Sequence, residues 1–230
     1  MRWVMGYSIA LCLLLIIVSQ SIIFPTFFMP FYRWQYERLG VADTVQMEKD
    51  ELMRVTVELL DYMRNRRDSI ADIRAVVAGE ERWFFSEIEI KHMVDVLHLY
   101  DIAFRIRNIA FFVLLGLVLG MVLLKYKILF VLSRCCREVL VGFLLLTAML
   151  VGVIAINFER AFDIFHQIFF NNDYWILDPR VDLLINMVPI YFFIHISIFI
   201  AALILLSSLI IILAASLYLR YMPRSGFDLS

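Results

Sequence analysis

Two of the four histidines lie beside long apolar stretches and are the strongest candidates for acid–base chemistry. His92 occurs in the segment EIEIKHMVDV, and His166 occurs in FHQIFFNNDYW, shortly after an apolar run. Imidazole gains and loses a proton near neutral pH, so either side chain could act as a general base or acid. Asp95 lies three residues after His92, hence on the same face of a helix, and could fix the tautomer of His92 and stabilise its charged form.

A metal site is another use for the same residues. The two histidines together with Asp95 or Glu89 could supply the three ligands of a catalytic zinc ion. However, the sequence has no HExxH motif, and Glu89 already fits a Ser-x-x-Glu capping box that begins at Ser86. We therefore expect no metal ion and no other cofactor. The simplest alternative is that each histidine only forms a hydrogen bond with a neighbour.

Covalent catalysis by a serine or a cysteine has little support in the sequence. No Gly-x-Ser-x-Gly elbow is present. Cys135 and Cys136 lie in a basic segment that we expect to face the cytoplasm, where they would be inert or lipidated. Ser86 already has a helix-capping role. These residues therefore favour a mechanism without an enzyme-bound acyl intermediate.

The other polar and aromatic side chains near the histidines each have two interpretations. Five aromatic residues could form a belt at a membrane surface or the wall of a pocket: Phe165, Phe169, Phe170, Tyr174 and Trp175. Asn172 and Asp182 could bind a polar head group or cap turns of the chain. His98 would face away from His92 on a helix, which indicates a structural role. His195 lies inside an apolar run, where a polar group is usually functional.

These side chains must be positioned by a membrane protein. The chain has 230 residues, of which 63% are hydrophobic, a net charge of −1 and a mean hydropathy of +0.83. Apolar runs of about 20 residues predict membrane-spanning helices at 1–24, 108–132, 139–157 and 184–219. Residues 25–107 then form a cap, and 158–183 form a loop that carries His166. The predicted fold class is an all-α membrane protein, with four transmembrane helices and a mostly helical extracellular cap.

The charges of the short loops predict the orientation of the chain in the membrane. Residues 125–138 hold four basic side chains and one acid, whereas 158–183 hold two basic and five acidic side chains. Basic residues also flank the first span at Arg2 and the last span at Arg220 and Arg224. By the positive-inside rule, both termini face the cytoplasm, and the cap and the histidine loop face outward. The net charge gives no indication of a nucleic-acid partner.

Helical periodicity extends through most of the cap. One stripe of apolar residues at helical spacing comprises Leu52, Val55, Leu59 and Met63. Asp43 and Gln46 fit a capping box before this stripe. A second, short helix is predicted over 70–77, and Gly79 would end it. A third helix begins at Ser86 and runs straight into the second span. The residues RWFF between them are compatible with an edge strand or a loop.

Two motifs resemble those of a known enzyme family. EIEIKHMVDV is similar to a Glu-x-x-His-Met-x-Asp-Val signature formed by Glu89, His92 and Asp95 with their neighbours. FHQIFFNNDYWILDPRVDLLINMVPIYFF is similar to a second signature, which begins with a Phe-His pair and continues through a Trp, an Asp-Pro and an Asp-x-Leu-Ile. With the cap pattern YERLGVADTVQ…LLDYM, the chain resembles the bacterial lipoprotein intramolecular transacylases, integral membrane proteins of Gram-positive bacteria.

The resemblance implies a four-span enzyme that moves the sn-2 acyl chain of a diacylglyceryl lipoprotein to the α-amino group of its N-terminal cysteine. The product is a lyso-form lipoprotein, and the partners are that lipoprotein and membrane lipid. The catalytic histidines of the family correspond to His92 and His166. Supporting or substrate-binding roles would fall to Glu89, Asp95, Asn172, Trp175 and Asp182, with Phe169 and Phe170 shaping the site. Either Asn171 or Asn172 could match the asparagine of the motif.

Two other classes of function remain compatible with these residues. One is a different membrane lipid-modifying enzyme, either a metal-dependent hydrolase or an intermolecular acyltransferase. The other is a membrane scaffold or sensor without catalytic activity. An intramolecular transfer suits the side chains present, because amine and ester lie on one molecule and no enzyme nucleophile is needed. One histidine would then be the base, and the other would stabilise the oxyanion or protonate the leaving oxygen, in either assignment.

Overall fold

The computed structural model describes residues 1–221, which divide into two compact units. The first unit comprises Met1–Ile22, Ala103–Ile156 and the described residues from Ile200 onward. The second unit comprises Ile23–Ile102 and Asn157–Phe199. Arg224, which contributes to the predicted orientation, lies outside the described residues.

The chain is mainly helical, with one short hairpin. In chain order, the first elements are the helices α1 (Arg2–Thr26), α2 (Met29–Leu39), α3 (Val41–Val45) and α4 (Lys49–Tyr62). The strands β1 (Arg74–Val77) and β2 (Glu80–Trp83) follow. The remaining elements are the helices α5 (Glu87–Leu123), α6 (Ile128–Ile156), α7 (Phe158–Phe169), α8 (Leu183–Met187) and α9 (Ile190–Tyr221).

Four of these helices, α1, α5, α6 and α9, are long and apolar enough to cross a membrane. Their apolar faces are largely exposed in the isolated chain, as expected for side chains that contact lipid. The predicted class, a helical membrane protein with four spans, is therefore confirmed. The division into spans, cap and histidine loop at the predicted boundaries stays a prediction.

Two helices have other bounds than the spans predicted around them. Helix α5 ends at Leu123, and Lys125 adopts a positive φ of 53° in the turn before α6, whereas the second span is predicted to reach residue 132. Leu183–Met187 form the separate five-residue helix α8, whereas the last span is predicted to begin at residue 184. Pro189 lies between α8 and α9, where its missing N–H and fixed φ disfavour a continuous helix.

In the first unit, α1 packs closely against α6. A Cβ atom on Gly6 would lie 2.5 Å from Cγ1 of Val131 and 2.9 Å from Sγ of Cys135, so only a glycine permits this approach without displacement. Cys135 and Cys136 belong to the buried cluster around this contact and not to a cytoplasmic loop. Their burial is consistent with inert thiols and gives no support to lipidation.

In the second unit, the predicted apolar stripe of α4 is buried, whereas the structure differs from the prediction on either side of it. Gln46 has a left-handed φ of 55° and ends α3, so Asp43 and Gln46 form no capping box for α4.

The helix predicted over 70–77 is wrong, because this segment ends in the strand β1. Ala78 and Gly79 both have positive φ, as a two-residue hairpin turn requires, and β2 pairs antiparallel with β1.

The predicted capping box at the start of α5 is confirmed. The N–H of Ser86 donates to Oε2 of Glu89 at 2.6 Å, and the N–H of Glu89 lies 3.4 Å from Oγ of Ser86. This reciprocal pattern satisfies backbone donors that the first helical turn leaves without an intrahelical acceptor. From that cap, α5 continues without interruption for 37 residues, as the sequence predicts.

Candidate active site

The second unit brings His92 and His166 together. His92 lies in the second turn of α5, and His166 lies near the end of α7. Their ring centroids are 5.9 Å apart, with an interplanar angle of 34°. Both side chains are buried, with exposed fractions of 8% and 6%. Two imidazoles separated by 74 positions in sequence therefore form one pair.

Helix α7 presents His166 to the interior of the second unit. The side chain of Asn157 caps the helix by accepting a hydrogen bond from the N–H of Arg160 at 2.9 Å. Among the twelve residues of α7, His166 is the one that is buried. The helix is short and strongly amphipathic, so its orientation determines where the imidazole points.

The surroundings of His166 fix its tautomer. Its Nδ1 lies 2.7 Å from the carbonyl oxygen of Phe162. A carbonyl only accepts hydrogen bonds, so Nδ1 carries the proton and Nε2 keeps its lone pair. Burial lowers the pKa of His166 below its ordinary value of 6.5, although the bond to Phe162 and the charge of Asp163 oppose this shift. His166 is therefore neutral at neutral pH, with Nε2 able to accept a proton.

His92 is held differently, and Asp95 does not orient it by a hydrogen bond. The Nδ1 atom of His92 is buried without a hydrogen-bond partner among residues 1–221. Oδ2 of Asp95 instead accepts a hydrogen bond from the side-chain amide of Asn172 at 2.9 Å. The predicted hydrogen bond by which Asp95 would fix the tautomer of His92 is therefore not formed. The same bond distinguishes Asn172 from Asn171 as the asparagine that reaches α5.

Aromatic rings enclose the pair. The ring of Phe170 lies 5.3 Å from that of His92 and 5.4 Å from that of His166. Trp175 stacks on His166 at 4.9 Å with an interplanar angle of 27°. Phe169 is 52% exposed and packs on Phe165, so Phe170, and not Phe169, contacts the histidines.

Phe162, which also contacts His166, is not part of either motif. The ring of Phe162 lies 4.3 Å from that of His166, one helical turn away, so its contribution could have been found from the i, i+4 spacing alone.

Glu89 and Asp182 lie in a polar network at the first turn of α5. Glu89 is fully buried, and its second carboxylate oxygen accepts a hydrogen bond from the N–H of Leu184 at 2.5 Å. Asp182 accepts from the hydroxyl of Ser86 at 2.8 Å and from the N–H of Asp178 at 2.8 Å. The network joins the start of α5 to the start of α8, so both acids position the helix that carries His92.

The other two histidines contact different residues. His98 is exposed on α5, in agreement with the predicted separation from the pair. Nδ1 of His195 lies 2.9 Å from Oε1 of the buried Gln35, and its ring lies 5.9 Å from that of Trp34. No local pattern in the sequence indicated a contact for Gln35, because its partner His195 is 160 positions away.

The described residues give no support to a zinc site. Within 1–221, no group of three or more His, Cys, Asp and Glu side chains is arranged to hold a metal ion. Glu89 and Asp95, the proposed third ligands, are each engaged by other hydrogen-bond donors.

Comparison with known proteins identifies the family. The family model described as lipoprotein intramolecular transacylase Lit matches residues 7–193, which include both histidine motifs. The chain belongs to this family. Its activity is lipoprotein intramolecular transacylation, an acyl transfer. No curated protein sequence matches the chain significantly.

Solved structures agree with the fold of this transacylase. The membrane integral lipoprotein intramolecular transacylase Lit from Bacillus cereus matches with a TM-score of 0.73 at 24% identity, covering 96% of this chain and 95% of that one. A variant of that protein with a histidine replaced by alanine matches with a TM-score of 0.71 at 22% identity, covering 96% and 94%. A variant with a histidine replaced by arginine gives 0.68 at 24% identity, covering 95% and 90%.

Proposed function

We propose that this transacylase uses His92 and His166 as a catalytic pair to move the sn-2 acyl chain of a diacylglyceryl lipoprotein to the α-amino group of its N-terminal cysteine. The product is the lyso-form lipoprotein. The observation that carries the proposal is the pairing of two buried imidazoles inside an aromatic wall, one of them with a free Nε2 lone pair.

The fixed tautomer favours His166 as the base. The amine of the substrate attacks the ester carbonyl, and Nε2 of His166 takes one proton from the nitrogen as the new C–N bond forms. An N–H of His92 donates a hydrogen bond to the oxyanion of the tetrahedral intermediate. When the C–O bond breaks, the proton held by His166 passes to the glyceryl oxygen. One proton thus moves from nitrogen to oxygen, and the enzyme returns to its initial state.

Most of the rate enhancement would come from holding amine and ester together. Well-oriented intramolecular reactions have effective molarities that correspond to about 7–11 kcal/mol of the barrier. One oxyanion donor contributes on the order of 3 kcal/mol. The rings of Phe170 and Trp175 exclude water from the imidazoles, which strengthens both electrostatic contacts.

The exposed face of α7 supports membrane lipid as a second partner. Its apolar side chains Phe165, Ile168 and Phe169 are exposed, whereas Glu159 and Asp163 belong to its polar face. Helices with this division lie in the plane of the lipid–water interface. From such a position, α7 would receive a substrate whose acyl chains remain in the bilayer. We expect no nucleic-acid partner.

The loop charges support an enzyme of the bacterial cell membrane with both termini in the cytoplasm and the cap outside. In that orientation the catalytic pair works on the outer side of the membrane, where the lipidated cysteine of an exported lipoprotein resides.

The first test is to co-express the enzyme with a model lipoprotein in a strain that lacks other N-acylating enzymes. The N-terminal lipopeptide is then fragmented by tandem mass spectrometry, because acyl transfer from oxygen to nitrogen leaves the intact mass unchanged. We expect His92→Ala and His166→Ala to reduce N-acylation by a factor on the order of 10²–10⁴. His98→Ala, an exposed histidine on the same helix as His92, is the matched control and should retain activity.

Other outcomes would identify the alternatives. A free amine with loss of one acyl chain to water indicates a hydrolase, and label transferred from added phospholipid indicates an intermolecular acyltransferase. If both alanine variants are folded, inserted and fully active, the pair has no catalytic role.

A further inference from the structure

We propose that Asp95 is a positioning residue that acts on His166 through Asn172 and Trp175, and not as a hydrogen-bond partner of His92. This inference rests on the proposed role of His166 as a base. It gives Asp95 a function that depends on its hydrogen-bond acceptor and not on its negative charge.

The first link joins α5 to the loop that follows α7. The side-chain amide of Asn172 donates to Oδ2 of Asp95 at 2.9 Å, across 77 positions in sequence. Asp95 lies on α5 almost one turn after His92, so its backbone is fixed by the same helix. The loop is therefore attached to the element that carries the other histidine.

The second link determines the path of the loop. Oδ1 of Asn172 accepts a hydrogen bond from the N–H of Tyr174 at 3.0 Å, which closes a local turn of the Asx type. Asn172 thus uses both ends of its amide, one toward α5 and one toward its own loop. The residue that leaves this turn is Trp175.

The third link reaches the base. Trp175 stacks on the imidazole of His166 at 4.9 Å with an interplanar angle of 27°. The indole limits rotation of the imidazole plane, while the carbonyl of Phe162 holds Nδ1. Loss of the bond between Asp95 and Asn172 would release the loop and allow Trp175 to leave the ring.

The charge of Asp95 is not required by any of these contacts. Its hydrogen-bond donor is the neutral amide of Asn172, which needs one acceptor oxygen that an asparagine at position 95 would also supply. Its hydrogen bond does not go to His92, whose Nδ1 has no partner among the described residues. Asp95→Asn and Asp95→Ala should therefore behave differently, because only the second removes the acceptor.

The experiment compares Asp95→Asn, Asp95→Ala, Asn172→Ala and the double variant Asp95→Ala/Asn172→Ala in the full-length enzyme. Single-turnover transfer rates are measured as a function of pH. Trp175 is followed by acrylamide quenching of its fluorescence, in a background where Trp3, Trp34 and Trp83 are replaced by Phe. Asp101→Asn is the matched control, since it removes one negative charge from the same helix at a residue that bonds to Asn65.

We expect Asp95→Asn to retain the transfer rate within about threefold, with an unchanged pH profile and unchanged quenching. Asp95→Ala and Asn172→Ala should each reduce the rate by about 10- to 100-fold, as displacement of a catalytic group by about 1 Å does. Their double variant should be no slower than the slower single variant, because both remove one link. Quenching of Trp175 should increase in all three alanine variants.

A different pattern would overturn the proposal. If Asp95→Asn is as slow as Asp95→Ala while Trp175 remains protected, the charge of Asp95 acts on the chemistry directly. Unchanged quenching in Asp95→Ala would also contradict the linkage, even if the proposed reaction itself were wrong. Conversely, altered quenching with a product other than the N-acylated lipoprotein would retain the linkage and reject the reaction.

Discussion

At the scale of single residues, the two histidines differ in a way that their motifs do not reveal. His166 has a partner for one ring nitrogen and is neutral because burial lowers its pKa, whereas Nδ1 of His92 is buried without a partner among the described residues. A base needs an available lone pair at the working pH. The proposed assignment of His166 as the base rests on its fixed tautomer, which leaves the lone pair on Nε2.

The pH dependence of the transfer tests this assignment. Because the pKa of His166 is lowered, the acid limb that its protonation produces should lie below pH 6.5, separate from the decrease near about pH 8 that protonation of the substrate α-amine causes. Asp163 raises this pKa slightly by its charge, so Asp163→Asn should shift the acid limb of the single-turnover rate to lower pH. An acid limb that moves to higher pH, or does not move, would contradict the role of His166.

Adjacent phenylalanines provide a matched test of the aromatic wall. Phe170→Ala removes a buried ring that contacts both imidazoles, and should reduce transfer by about tenfold or more and the free energy of unfolding by about 3–5 kcal/mol. Phe169→Ala truncates an exposed ring and should change both quantities little. Transfer rates and thermal unfolding in detergent measure the difference. If Phe170→Ala transfers the acyl chain as fast as Phe169→Ala, the ring of Phe170 has no catalytic role.

At the scale of elements, one of the two predicted capping boxes is confirmed and one predicted helix is wrong. The residues of both boxes are three positions apart, but only Ser86 and Glu89 form the bonds, because Gln46 adopts a left-handed φ and ends α3. The apolar residues of 70–77 fit a helical face, but the structure forms a strand there. The consecutive positive φ angles at Ala78 and Gly79 turn the chain back, and pairing with β2 then outweighs helical propensity.

The capping network of α5 makes a prediction about stability. Glu89→Ala would leave the buried N–H of Leu184 without its acceptor, at about 1–3 kcal/mol, and would also remove the acceptor of the partly buried N–H of Ser86. The thermal midpoint should fall clearly. Glu87→Ala, which removes an exposed acid from the same turn, should have little effect. Equal midpoints for the two variants would show that the network does not stabilise the fold.

At the scale of the whole molecule, the sequence indicated His92 and His166 as candidates but not how their side chains meet. The pairing of His92 with His166 and the bond between Asp95 and Asn172 span 74 and 77 positions, and no local pattern encodes such distances. Hydropathy predicted the number of spans correctly. It did not indicate the turn at Lys125, because apolar residues resume at Ile128 and continue to Leu132.

Cysteine labelling tests the orientation in the membrane. The native cysteines are buried, so an impermeant maleimide should react with them slowly. Asp68→Cys, at an exposed position in the cap, should be labelled on intact cells, whereas Lys125→Cys should be labelled only after permeabilisation. The reverse pattern would mean that the cap faces the cytoplasm.

The carbonyl of Phe162 has a consequence for how this enzyme can be studied genetically. The group that orients His166 is a main-chain oxygen of its own helix, and every amino acid at position 162 supplies the same oxygen. If the proposed pair is catalytic, a mutational scan should therefore find no side chain that serves as a third member of a triad. For the same reason, sequence drift at position 162 can alter the ring beside His166 but cannot remove the acceptor that selects its tautomer.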